Sequence, residues 1–293
     1  KIGDTGLYNK YRNDLSEDPF QYLIKEAHAA GVEVHAWLNL LSLSENRDAP
    51  ILKKYGTGVL TRNKNKKVSI EDYKIDSQYF LEPGDLRIRE EMKELIKEIL
   101  STYKDLDGIQ FDYIRYPDEH PFYGYTEMNL SRFKSASGLD AFGEKDPAWQ
   151  DWKRLQVTEF LKGLVGTAKK IKPAIQVSAT GCAPYVRAYY EAFQDWPGWL
   201  NSGLVDFVTL MSYAPQEPDF EKEVIEAQMK VDDPEKLKIG IGAYKLVKMP
   251  RAFERQINFC KKAGVRSYAI FHYGSLLENT GLKKILLSSK NKE

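Results

Sequence analysis

Two carboxylates stand where chemistry is expected. Asp112 lies near the end of the run Gly108-Ile-Gln-Phe-Asp-Tyr113, and Glu82 closes the shorter run Tyr79-Phe-Leu-Glu82. Successive side chains in a strand point to opposite faces. The apolar set Ile109, Phe111 and Tyr113 therefore leaves Gly108, Gln110 and Asp112 on the other face. The same parity puts His35, Trp37 and Asn39 on that inner face in residues 34–39, and Glu82 in residues 79–82. It adds Thr180, Tyr213 and Tyr244 from three later runs, and either His272 or Tyr273 from the last. One mouth then gathers two carboxylates among hydrogen-bonding groups and aromatic plates. A polar plug with satisfied hydrogen bonds is the plain alternative. Burying a carboxylate costs about several kcal/mol unless it is paired, so two at one mouth favour function.

Paired carboxylates beside Trp and Tyr faces suit glycoside hydrolysis. One carboxyl protonates the leaving oxygen, and the other attacks or activates water. Aromatic faces stack on sugar rings. Asp112 is the first catalytic candidate, as acid or nucleophile, and Glu82 its partner; Asp85 and Glu217 are fallbacks. Trp37, Asn39, Tyr213, Tyr244 and His272 are expected to contact the substrate. A carboxyl separation of about 5–5.5 Å would predict retention and about 6.5–9.5 Å inversion.

Other chemistries lack their residues. There are four His and two Cys, and His28, His35, His120 and His272 are scattered, so no metal site is expected. No Gly-x-Ser-x-Gly elbow occurs. Gly240-Ile-Gly242 lacks the third glycine of a dinucleotide loop, and no cofactor is expected. The 43 Lys+Arg balance 42 Asp+Glu for a net charge of +1, which gives no field for nucleic acid or an anionic membrane. No apolar run reaches the ~18 residues of a membrane span. Cys182 and Cys260 read as buried thiols.

The elements that must position these groups are strand-like runs at 32–39, 79–82, 108–113, 175–180, 205–213, 238–244 and 267–273, alternating with helical patterns. Asp18-Pro-Phe-Gln21 opens one helix with an Asp cap and Pro at its first position. Asp85 caps the next. Strands alternating with helices predict an α/β fold with a parallel sheet. A (β/α)8 TIM barrel takes about 250 residues, so residues 1–293 read as a single barrel domain with a long insertion at 118–149. An open doubly wound sheet is the runner-up. Only seven runs are visible, and Gly3-Asp-Thr-Gly-Leu-Tyr8 looks like the loop leaving a first strand. The first strand is therefore expected to be truncated.

Asp107-Gly-Ile-Gln-Phe-Asp-Tyr-Ile-Arg-Tyr-Pro117 resembles the signature of the bacterial family-10 glycosyl-hydrolase-like proteins. Gly31-Val-Glu-Val-His-Ala-Trp-Leu-Asn39, Leu81-Glu-Pro-Gly84, Gln194-Asp-Trp196, Gly203-Leu-Val-Asp-Phe207 and Met211-Ser-Tyr213 follow in that family's order. The resemblance implies a (β/α)8 barrel and a glycosidase-like site at Asp112, with Tyr113, Arg115 and Tyr116 beside it. It also implies a bacterial cell-wall glycan or related polysaccharide as substrate and an exported, extracytoplasmic protein. Glu82 stands where the family usually has Asp. A weaker similarity to family-18 chitinases rests on Asp107, Gly108 and Asp112; Ile114 replaces their catalytic Glu. That loss keeps a non-catalytic carbohydrate-binding barrel as the alternative.

Several groups carry two readings. The 118–149 insertion, with Phe122, Tyr123 and Tyr125, is either the wall of a glycan groove or a packed insertion. Trp196 is either a stacking plate for sugar or a core anchor. Arg115 is placed to orient Asp112 or Glu82, or to cap a strand end. Lys64, Lys66 and Lys67 sit at a hairpin tip and read as a solvated turn.

Overall fold

Asp18 caps the helix Pro19–Ala29 as its sequence predicts. Its Oδ1 accepts from the backbone N–H groups of Phe20 at 2.9 Å and Gln21 at 3.2 Å, and Pro19 occupies the first helical turn. This computed structural model describes residues 17–72, 78–118, 122–140 and 142–290. The expected loop Gly3–Tyr8 and the first strand before it lie outside the described residues, as does His120.

Six strands are described: β1 (His35–Asn39), β2 (Gly108–Asp112), β3 (Gln176–Cys182), β4 (Phe207–Ser212), β5 (Leu237–Gly242) and β6 (Tyr268–Phe271). Their order in the sheet follows their order in the chain. The pairs β1–β2, β4–β5 and β5–β6 are parallel. Helices follow the strands, so the alternation read from the sequence is the observed architecture. The eight-strand closure of a full barrel is not among the described residues.

One of the seven expected runs is not a strand of this sheet. Residues 79–82 make isolated antiparallel bridges, Phe80 with Ser42 and Leu81 with Leu60. The loop after β1 folds back along both sides of the run and takes its backbone groups. Leu43 N donates to Tyr79 O, Leu81 N to Leu41 O, Thr61 N to Phe80 O and Glu82 N to Val59 O, all within 2.8–2.9 Å. With its ladder satisfied locally and Pro83 next, the run has nothing left to offer a sheet neighbour.

The chain divides into two compact units. The first holds residues 1–178 and 190–194; the second holds 179–189 and 195–293. The first contains β1, β2 and the start of β3. The helix Leu86–Thr102 is capped by Asp85, whose carboxylate accepts from Arg87 N and pairs with its guanidinium. It buries Ile88, Met92, Ile96 and Leu100, the expected apolar stripe. The insertion carries the helix Glu127–Ser137 and runs into Pro147–Ile171. There Phe133, Phe142, Trp149 and Tyr125 pack on one another with ring centroids 4.7–6.4 Å apart. Tyr123 is buried as well. Of the two readings, these aromatics fit the packed insertion.

The second unit contains the end of β3, β4, β5 and β6, with helices Trp196–Asn201, Glu217–Gln228 and Pro250–Lys262. Cys182 and Cys260 are both buried and unpaired with each other, and burial pushes the Cys260 thiol up to about 12. Among the described residues no helix is long and apolar enough to cross a membrane.

Candidate functional site

The register of β1 on β2 sets the site. His35 lies opposite Gly108, Trp37 opposite Gln110 and Asn39 opposite Asp112. This brings the two inner-face sets together as alternation predicts, while Ile109 and Phe111 are fully buried. Asp112 ends β2 at the C-terminal end of the strand, where catalytic groups of β/α barrels stand. It is buried, and Trp37 and Asn39 beside it are exposed. The indole Nε1–H of Trp37 donates to Asp112 Oδ2 at 2.9 Å, and Tyr113 N donates to Oδ1 at 2.6 Å.

Directly after Asp112 the backbone leaves ordinary geometry. Tyr113 has φ +54°, a left-handed conformation that an aromatic residue adopts at a cost of about 1–3 kcal/mol. The Arg115 guanidinium lies 4.7 Å from the Tyr113 ring centroid and pairs with Asp118. These contacts close the segment on itself.

Glu82 is placed differently. It is fully enclosed by protein. Tyr116 donates its hydroxyl to Oε1, Gly84 N donates to Oε1 at 3.2 Å, and Thr61 Oγ1 donates to Oε2 at 2.9 Å. Burial raises this carboxyl above its usual range, against the pull of the three donors. Tyr116 is buried with it, and burial and the Glu82 charge push its hydroxyl well up. Glycine is required at 84: a Cβ there would lie 2.3 Å from Asn129 Oδ1.

Sequence reasoning missed the rest of this cluster. Asn129 donates to Gly124 O at 2.8 Å and to the Tyr116 hydroxyl at 3.4 Å, and accepts from Trp152 Nε1 at 2.9 Å. Lys153 is fully buried, its ammonium 3.6 Å from the Phe193 ring centroid. Burial lowers its pKa to about 7, with the Glu82 charge opposing. Gln156 Oε1 accepts from Arg89 and Arg132, each at 2.9 Å. Trp149, Trp152, Lys153 and Gln156 recur at i, i+3, i+4 and i+7 on one helix. That spacing was legible as a face, and the two polar residues on it were the available signal.

The fallback carboxylates have structural partners. Asp85 is the buried helix cap already described, and Glu217 pairs with Arg255.

In the second unit Tyr213, Tyr244 and His272 come together. Tyr213 stacks on Phe271 with centroids 5.4 Å apart, and Tyr244 meets both edge-on. Tyr244 in turn stacks with His272 at 6.2 Å. Of the two residues left open at the last strand, His272 joins this aromatic group through Tyr244 and Phe271, and Tyr273 is 71% exposed. Gly240 and Gly242 make this possible, since a Cβ at 242 would lie 3.0 Å from Tyr213 Cβ and one at 240 would lie 2.7 Å from Leu210 O. Gly242 thus makes room for the Tyr213 ring, and Gly240 for the backbone of β4.

Trp196 is fully buried. Its Nε1 donates to Cys182 O at 3.1 Å, its ring covers Gly181, and Tyr185 meets it edge-on. Of its two readings this is the core anchor, and the stacking plate has no open face. On the helix side of β4, Ser212 donates to Glu223 at 2.6 Å, and burial raises that carboxyl. Among the described residues no group of three or more His, Cys, Asp or Glu is placed to hold a metal ion.

The family model Glycosyl hydrolase-like 10 matches residues 5–259. The chain belongs to that family. It is 24% identical over 266 residues to glycosyl hydrolase DigH of Escherichia coli (strain K12), covering 84% of this chain and 56% of that protein. It is 25% identical over 227 residues to glycosyl hydrolase YngK of Bacillus subtilis (strain 168), covering 71% of this chain and 41% of that one. The chain thus spans about half the length of the curated relatives it matches. Among solved structures, Gan42B, a GH42 beta-galactosidase from G. stearothermophilus, superposes with a TM-score of 0.58 at 11% identity, over 87% of this chain and 43% of that one. A beta-galactosidase from the haloarchaeon Halorubrum lacusprofundi gives 0.55 at 12%, over 88% and 46%. At such identities these likenesses show the fold.

Proposed function

We propose that this member of the glycosyl hydrolase-like 10 family cleaves glycosidic bonds of a polysaccharide, with Asp112 as the carboxylate that meets the sugar. One observation carries the reading: a buried carboxylate at a strand's C-terminal end, held by the N–H of an exposed tryptophan. Trp37 offers a sugar ring a face and holds the acid or nucleophile beside it. Asn39, across the register from Asp112, offers both a donor and an acceptor to hydroxyls. The Tyr244–His272 pair of the second unit is a further exposed plate suited to stacking on a sugar.

A bacterial cell-wall glycan is the substrate we favour, as the sequence resemblance implies, and with it a site of action outside the cytoplasm. The test is incubation with purified peptidoglycan and a polysaccharide panel, with products read by mass spectrometry. Wild-type protein should release oligosaccharides, and Asp112→Asn should release none. Unchanged activity in Asp112→Asn would end the assignment.

The enclosure of Glu82 favours a second reading, a carbohydrate-binding barrel without catalysis, because the expected partner carboxylate offers substrate no surface. That reading predicts glycan affinity with no new reducing ends after long incubation.

A further inference from the structure

The segment from Asp112 to Asp118 is held from two directions. Gln194 Nε2 donates to Ile114 O at 3.2 Å, and Tyr116 N donates to Ala192 O at 3.0 Å. From the other side the Tyr116 hydroxyl reaches Glu82, whose remaining bonds run to Thr61 and Gly84. Both neighbouring stretches are conformationally loaded: Tyr113 and Phe193 each have φ +54°. A left-handed aromatic residue persists only where its surroundings over-determine it. The Phe193 ring is pinned by Tyr116 edge-on at 5.7 Å and by Lys153 at 3.6 Å. The Tyr113 conformation has the Tyr116 anchor three residues downstream.

We infer that Glu82 is a positioning residue for Asp112, acting through the Tyr116 hydroxyl to hold the 112–118 segment in the conformation that sets Asp112 against Trp37. This rests on the reading of Asp112 as the carboxylate that meets the sugar. A carboxyl that protonates a glycosidic oxygen or attacks a sugar carbon must reach the reacting atom. Both Glu82 oxygens instead face protein donors, from two other segments and from Gly84 in its own turn, and none of its surface is open. Tyr116, Asn129 and Trp152 extend the tie to the helix Pro147–Ile171. Burial favours the neutral carboxyl, so an amide of the same shape can stand in for it: glutamine accepts from Tyr116 and Gly84 and presents its NH2 to Thr61.

The experiment compares Glu82→Gln, Glu82→Ala, Tyr116→Phe and Asp112→Asn by two readouts. The first is kcat and KM on a glycan the wild type cleaves. The second is the indole 1H–15N resonance of Trp37, assigned with Trp37→Phe, which reports the bond to Asp112 whether or not any glycan is cleaved. Glu82→Ala and Tyr116→Phe should shift that resonance and lower kcat about 10- to 100-fold with KM little changed, as for a misplaced catalytic group. Glu82→Gln should return the resonance to the wild-type position and keep kcat within about tenfold. Two results would overturn the proposal. One is loss of turnover in Glu82→Gln as complete as in Asp112→Asn with the resonance unmoved, which makes Glu82 a chemical participant. The other is an unmoved resonance in folded Tyr116→Phe. If the wild type cleaves no glycan, the hydrolase reading falls, while the resonance still decides the positioning role. Should Glu82→Ala fail to fold, Tyr116→Phe and Glu82→Gln decide between them.

Discussion

The indole N–H of Trp37 donates to Oδ2 of Asp112 across 2.9 Å. The bond is diagonal: Trp37 pairs in register with Gln110, and Asp112 lies two residues further along β2. Only a long side chain spans that diagonal. The ring therefore lies toward the strand end beside the carboxylate, half-exposed, while Asp112 is 4% exposed.

Trp37→Phe keeps an aromatic face and removes the donor. A hydrogen bond to a charged group contributes about 1.5–3 kcal/mol, so kcat/KM on a cleaved glycan should fall about 10- to 100-fold. Trp37→Ala should fall further, since it also loses the stacking face. Steady-state kinetics of both variants check this, and equal losses would mean that the ring face contributes nothing beyond the bond.

Gly242→Ala should displace the Tyr213 ring and weaken glycan binding, because the new Cβ would lie 3.0–3.2 Å from Tyr213 Cβ and ring atoms. Gly240→Ala meets a backbone carbonyl at 2.7 Å, which cannot swing away. It should cost more stability, about 1–3 kcal/mol as for an overpacked core. Urea unfolding of the two variants should rank them in that order.

Lys153 titrates near its ordinary 10.5 in the unfolded chain and at about 7 in the native protein. Between those values the unfolded state binds the extra proton, so this group makes stability rise with pH. Below about pH 7 the cost of its buried charge is fully present. Lys153→Met removes the charge and keeps an unbranched side chain one atom shorter. It should be more stable than wild type by about 1–4 kcal/mol near pH 6, with the gap closing toward pH 10. A gap that does not change with pH in urea unfolding would contradict this.

Asp107 is lowered as well, so it too makes stability rise with pH, but its shift reports a charge that stabilises the fold. Burial raises it, but the Val34 N–H at 2.7 Å and His28 at 2.8 Å outweigh that and hold its carboxyl below the ordinary 3.8. Its contribution is present above that ordinary value and is lost as pH falls through the lower native one. Asp107→Asn should therefore lower the melting temperature at neutral pH and leave it unchanged in strong acid.

The placement of Asp112 was legible because one rule, alternation along β2, decided it, and Ile109 and Phe111 left no doubt about parity. Asp85 and Asp18 were legible because caps are local. Glu82 was not. Its run was too short to carry parity on its own, and the segments that enclose it, at Thr61, Tyr116 and Asn129, lie 21, 34 and 47 residues away along the chain. No local pattern encodes a tie of that length. Trp196 kept two readings for a similar reason: an indole near a strand end reads the same in sequence whether the face above it is open or packed. Lys153 drew no reading from the sequence because a lysine in an apolar helix is ordinarily solvated, and only the wall of Phe193 and Trp149 reveals otherwise.

Of the five tryptophans, Trp149, Trp196 and Trp199 are buried, Trp152 is partly covered, and Trp37 alone is half open to water. The red edge of the protein's fluorescence is therefore dominated by the ring that holds Asp112. An arriving sugar would shift that emission to the blue, and an added quencher such as iodide would lose its access. Occupancy of the site becomes readable without a label, a chromogenic substrate or any turnover.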